Sequence, residues 1–290
     1  MLRISPMVFK VLLDLIEDHP AFYNNSHNSQ TPIQTQLAVT LYQMGHYGNG
    51  GSLEDIARHA GISEGGVELF TERCFTAIEF LHDIFVHLPT AEEKEIEKLW
   101  IDHEIGFRGT WQEGWVMYDG TIVVLYTKPG LNGDAYFTRK SNYGLNLQIG
   151  NLPSNLCIVD YAHGLTGSAH DSSAFKHTAA AKHTDWFFKG NEFAWVNSAY
   201  PVSPHTIPVH KHPTSLLPEN LFDSAVAHLL VQSEHYVEGA VQGEHFASNH
   251  SRIAEEEDQE TADPPWDNGR NYGEAKRQQL VEELLAFRQM

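Results

Sequence analysis

In the front third of the chain, apolar side chains recur at helical spacing. Val8, Val11, Leu12, Leu15 and Ile16 predict a helix over residues 6–17. The polar run 24–31 reads as a loop. Pro32 then opens a second helix carrying Leu37, Val39, Leu41 and Met44. Four glycines between Gly45 and Gly51 mark a turn. Beyond it, Ser52 caps a short helix with Asp55 as an acidic capping-box partner, Gly61 ends it, and Ser63 caps the next. That is a helix-turn-helix-like pattern over 52–80. A charged helix capped by Thr90 follows over 90–100 and reads as a bridge between two domains.

The texture changes near Trp115. Residues 115–126 are rich in β-formers, and 143–150 and 156–161 give two more strands. Residues 171–182 read as one helix and 193–197 as a short buried strand. The prolines around 205–209 make that strand an edge. A long helix spans 218–241. Residues 254–271 read as an acidic linker, and 273–288 as a terminal helix with Leu280, Leu284 and Leu285 on one side. The division is a helical domain over 1–110, an α/β domain over 111–250, and an acidic linker with a C-terminal helix over 251–290.

Charge narrows the function. Nineteen Lys and Arg face 38 Asp and Glu, a net −19, which argues against broad non-specific DNA binding. Residues 52–80 carry only Arg58 and Arg73 against six acids, whereas a DNA-reading second helix wants cations. The two cysteines, Cys74 and Cys157, form no disulfide framework or zinc motif. No apolar run reaches the roughly 20 residues a membrane helix needs, and the opening residues lack the apolar core of a secretory leader. The expectation is a protein that is neither membrane-bound nor secreted. The histidine groups His205, His210, His212 and His163, His170, His177, His183 match no zinc spacing and read as core or surface residues.

Asp119 stands in an otherwise apolar and aromatic strand. An ionised carboxylate there is costly unless it is paired or binds a metal, but Asp119-Gly120 is also a hairpin-turn signal. From the residues alone both readings stay open. Five blocks in order bear on the choice. They are Met117-Tyr118-Asp119-Gly120-Thr121-Ile122-Val123; the run from Tyr136 through Arg139, Lys140 and Tyr143 to Gln148; Gly167-Ser168-Ala169-His170-Asp171-Ser172; Trp195-Val196-Asn197-Ser198-Ala199-Tyr200-Pro201; and Ser233-Glu234-His235. Over about residues 115–245 the chain resembles the DDE endonuclease domain of PIF/Harbinger-type transposases and their domesticated relatives.

The resemblance implies a ribonuclease H-like α/β fold, a mixed central sheet flanked by helices, here preceded by the all-α helix-turn-helix-like domain. It implies metal-dependent hydrolysis and strand transfer of DNA phosphodiesters, with Mg2+ or Mn2+ held by three carboxylates. Asp119 matches the first and Glu234 the third. The second position is Asn197, an amide without the charge that two neighbouring divalent cations require. Asp171 is a further candidate ligand, or else the cap of the helix after it. Lys128, Arg139 and Lys140 are candidate nucleic-acid contacts. Around Glu234 the family carries basic residues. This chain has Gln232, and then Gln242-Gly243-Glu244-His245-Phe246. Each missing cation weakens phosphate affinity. The resemblance also implies DNA as partner, a separate DNA-binding protein partner and a nuclear location, otherwise a cytoplasmic one. The rival reading is a catalytically inactive relative that works as a protein-binding module.

Overall fold

The computed structural model describes residues 4–24, 27, 29–46, 52–106, 109–125, 127–211, 217–242 and 267–288, with the backbone alone at 105, 217, 232–242, 267–268 and 287–288. The chain divides into two compact units, Met1–Phe85 and Val86–Met290.

The first unit is helical: α1 (Pro6–Ile16), α2 (Ile33–Met44), α3 (Leu53–Ala60), α4 (Glu64–Glu79) and α5 (His82–Phe85). The predicted caps are present. Ser52 Oγ accepts from the Asp55 N–H and Ser63 Oγ from the Gly66 N–H; Ser5 Oγ, not among the predicted caps, accepts from the Val8 N–H. Gly61 takes φ +68°, a left-handed turn that suits a residue without Cβ. Asp55 is one methylene shorter than Glu, and its carboxylate takes the Ser52 hydroxyl at 2.6 Å. Leu13, Ile16, Leu37 and Cys74 form one core cluster, and Val39, Ile56, Val67 and Phe70 a second.

The second unit opens with α6 (Ala91–Ile105) and builds a five-stranded sheet from β1 (Gly114–Val124), β2 (Gly144–Asn151), β3 (Ile158–Thr166), β4 (Phe193–Val196) and β5 (Thr206–Pro208). The order is β3-β2-β1-β4-β5. β1, β2 and β3 pair antiparallel, while β4 and β5 run parallel to β1. This is the mixed sheet flanked by helices that the resemblance implied. Pro208 sits in edge strand β5, where its missing N–H costs no ladder bond. Asp119 and Gly120 lie in mid-strand, paired with Ile149 and Gln148, so the hairpin reading of this dipeptide does not hold.

Each face of the sheet has its own core. On one side Met117, Trp195 and Ile207 pack with Trp111 and with α10 (Leu217–Gln242) and α11 (Asp267–Arg288), through Phe222, Val226, Leu280 and Leu284. On the other, Tyr118, Val159 and Val196 pack with Phe175 and Phe187 from α7 (Asp171–Phe175) and α9 (Thr184–Phe187). The sequence predicted a single helix over 171–182. It is broken, because Thr178 restarts it as the N-cap of α8 (Ala179–Lys182) and the Asp160 carboxylate accepts from the Ala179 and Ala180 N–H groups. The predicted linker lies mostly outside the described residues. The terminal helix packs on the sheet unit. Lys276 Nζ donates to the Asn191 and Pro204 carbonyls at 2.6 and 2.8 Å, and burial pushes its pKa down to about 8. Among the described residues no helix is long and apolar enough to cross a membrane.

α6 inverts the usual rule. It buries Lys94, Glu97 and Ile101 and leaves Ile96 and Leu99 exposed. The cause is a buried ion cluster. Glu192, just ahead of β4, accepts from Lys94 Nζ at 2.9 Å, Trp115 Nε1 at 3.2 Å and the Lys189 N–H at 3.0 Å, and meets Lys98 Nζ at 3.2 Å. Glu97 holds the turn before β3 through the Ser154 N–H and hydroxyl. These bonds seat the 90–100 helix in the second unit, whereas the sequence reading grouped it with the front domain as a bridge.

Burial pushes the Glu192 carboxyl up, but the bonds from Lys94, the Lys189 N–H and Lys98 outweigh it and hold it below the ordinary range. A lowered pKa gives a contribution that is complete at neutral pH and fades as acid titrates the folded carboxylate. Glu192→Gln leaves Lys94 without its counter-charge. We expect a loss of about 3–5 kcal/mol in urea unfolding at neutral pH. The gap to wild type should narrow below about pH 4. An unchanged midpoint would show that the cluster is not structural.

Candidate functional site

Parallel pairing of β1 and β4 sets the site. Tyr118 aligns with Val196, so Asp119 and Asn197, the next residues, come level at neighbouring strand ends. Both are half-buried. Alternation along β1 puts Asp119 on the face of Met117, the side that α10 covers. Asn197 Nδ2 donates to Asp119 Oδ1 at 3.2 Å, while Asn197 Oδ1 accepts from the Ala199 N–H at 2.8 Å. The second bond decides how the amide is oriented. Turning Oδ1 towards Asp119 would break both contacts and set two acceptors face to face.

Glu234 lies in α10, two turns beyond the buried Val226; its side chain is outside the described residues. Asp171 is elsewhere. A Cβ built on Gly120 would stand 2.3 Å from Asp171 Oδ1, so Asp171 presses on the strand from the Gly120 face, opposite Asp119. There Asp171 Oδ1 accepts from Gln148 Nε2 at 3.0 Å, and Gln148 Oε1 accepts from the Tyr200 hydroxyl at 2.5 Å. Asp160 is also on that side, bonded by Tyr118 and capping α8.

The sequence reading assigned no role to Tyr200. Its N–H donates to the Asn197 carbonyl at 3.3 Å, so it closes the turn that carries Asn197. Burial, then the charges of Asp171 and Asp119, push its phenol well above the usual value, and it remains a neutral donor. Its place in the Asn197 block was the available signal. His210, read as a core or surface residue, has a defined partner. Its N–H and its Nδ1 meet Asp223 Oδ1 at 2.9 and 2.8 Å, tying the end of β5 to α10. His212 is outside the described residues.

The candidate nucleic-acid contacts lie on the long β1–β2 connection. Lys128 pairs with Asp134 and stands over the Tyr143 ring at 5.7 Å. Arg139 meets His170 Nδ1 at 2.5 Å, and Arg139 and Lys140 are exposed in the turn between Phe137 and Tyr143.

Residues 118–243 match the DDE superfamily endonuclease family. The stretch from the Asp119 strand to α10 is a DDE superfamily endonuclease domain, of a nuclease-like, transposase-derived kind. No curated protein and no solved structure matches the chain. The family is generally dependent on divalent metal. Among the described residues no three His, Cys, Asp or Glu side chains are grouped to hold a metal ion. Among the described side chains the donor set fits a two-metal centre poorly: Asp119 offers one carboxylate, Asn197 turns an N–H towards it, and Asp171 is across the strand.

Gly120→Ala tests the placement of Asp171. The added methyl must displace Asp171 and Gln148, and we expect a loss of about 1–3 kcal/mol in chemical unfolding. Wild-type stability would mean that Asp171 does not rest on the strand.

Proposed function

We propose that this protein is a transposase-derived DDE-fold protein that has lost two-metal phosphodiester chemistry in its nuclease-like domain and works, as a whole chain, as a protein-binding module. The observation that carries the reading is the hydrogen bond from Asn197 Nδ2 to Asp119 Oδ1. Two divalent cations about 3.5–4 Å apart need anionic ligands to offset their repulsion. Here a neutral amide occupies the second ligand position and points a donor at the first acid. The ancestral activity would be Mg2+- or Mn2+-dependent cleavage and joining of DNA, of the Harbinger kind, with Asp119 and Glu234 as its remaining acids. The acidic surface and the missing cations around Glu234 disfavour DNA as the present partner. The nucleus is the compartment that this ancestry implies.

Asn197→Asp is the test. It sets a second carboxylate about 3 Å from Asp119, an arrangement that is unfavourable until a cation binds between them. The variant should melt below wild type in metal-free buffer and recover with millimolar Mg2+ or Mn2+, because metal binding stabilises the folded state by mass action. Wild type should show no metal-dependent shift by calorimetry or melting. Metal binding by wild type that Asp119→Ala abolishes, together with cleavage of DNA, would overturn the reading.

A further inference from the structure

Helix α1 is apolar on two sides. Phe9, Leu12, Leu13 and Ile16 face the core of the first unit. Met7, Val8, Val11 and Leu15 face solvent, with exposures of 76%, 49%, 52% and 44%. At 100° per residue these four fall on one continuous strip opposite the core side. A helix that is apolar on both sides is normally covered on both.

The rim of the strip is acidic. Lys10 and Asp14 pair along its edge, and exposed Glu17 and Asp18 follow at the C-terminal end, where the helix dipole adds negative potential. The whole first unit has four Lys and Arg against ten Asp and Glu. A second copy of the chain would therefore bring like charge to like charge. The strip, on the order of 400 Å², is also about half of what one side of a stable interface buries. An anionic membrane is disfavoured by the same acids. An amphipathic helix from another protein fits both features, laying apolar residues on the strip and Lys or Arg beside Glu17 and Asp18.

We infer that the solvent face of α1 is a docking strip for a basic amphipathic helix of a partner protein. This deepens the protein-binding reading above. Its test uses neither metal nor DNA, so the two can fail separately.

The experiment uses the full chain and a labelled helical peptide of Leu and Lys with one apolar face, followed by fluorescence anisotropy. A Leu/Glu peptide with the same apolar face is the control. The Leu/Lys peptide should bind and the Leu/Glu peptide should not. The double variant Val11→Gln/Leu15→Gln keeps the net charge and should weaken binding at least about tenfold. Met7→Gln, at the most exposed position of the strip, is a second variant should the double one lose its cooperative melt, and should weaken binding in the same direction. Equal affinity of wild type and the folded variants would show binding by charge alone and overturn the proposal. So would equal binding of the Leu/Glu peptide. So would a wild-type dimer, seen by sedimentation, that the variants convert to monomer.

Discussion

Glu192 is the constraint on which the second unit depends. It is a buried carboxylate standing just before β4, and one of its oxygens takes donors from α6, from β1 and from the loop ahead of β4. Its bond to the Trp115 indole ties the start of β4 to the start of β1. Between that tie and the site the pairing shifts register once, from Gly114 beside Phe193 to Tyr118 beside Val196. Asn197 then arrives level with Asp119. A slip of one residue would carry both side chains to opposite faces. The ion cluster thus anchors the other end of the strands and takes no part in the site itself.

The two faces of the sheet hold the site by different means. On the Met117 face, contact is mainly apolar; the Trp111 and Trp195 indoles donate to the Leu280 and Gly114 carbonyls inside the core, and further polar ties join His210 to Asp223, Lys276 to two carbonyls and Thr110 to Glu283. On the Tyr118 face, buried polar groups form a chain from Asp171 through Gln148 to Tyr200, and Tyr200 closes the turn of Asn197. Buried polar chains are costly unless each member is satisfied, and satisfied ones fix a single arrangement. Asp171 is accordingly a support of the turn that carries Asn197, reached through the strand and not around it.

Much of this was legible in the sequence, and what was not has a common physical cause. Local signals read correctly: Ser52, Gly61, Ser63 and Thr90 act on backbone groups within a turn of themselves. The β-rich runs gave the strands, and the five motif blocks gave the family of residues 118–243. Readings that depended on distant partners differed. Lys94 and Lys98 of α6 answer to Glu192, some 98 positions from Lys94, so a helix seated in the second unit read from its charges as a bridge between domains. The helix over 171–182 breaks because Asp160, in β3, supplies an acceptor for a new start. Asp119 and Asp171 occur in the first and third motif blocks, and a strand separates them; block order carries no information about faces.

On the reading proposed above, the Asn197 position keeps its geometry while its chemistry changes. With an acid at that position, the neighbouring carboxylates would repel, and the fold would rely on a bound cation to stabilise that region. The amide removes this dependence. It donates an N–H to Asp119 and keeps its carbonyl on the Ala199 N–H, so both ends of the side chain have partners. A sheet, a buried ion cluster and a polar support network built around a reactive centre can persist as a stable frame. Such a frame leaves the functional surface free to lie elsewhere on the chain.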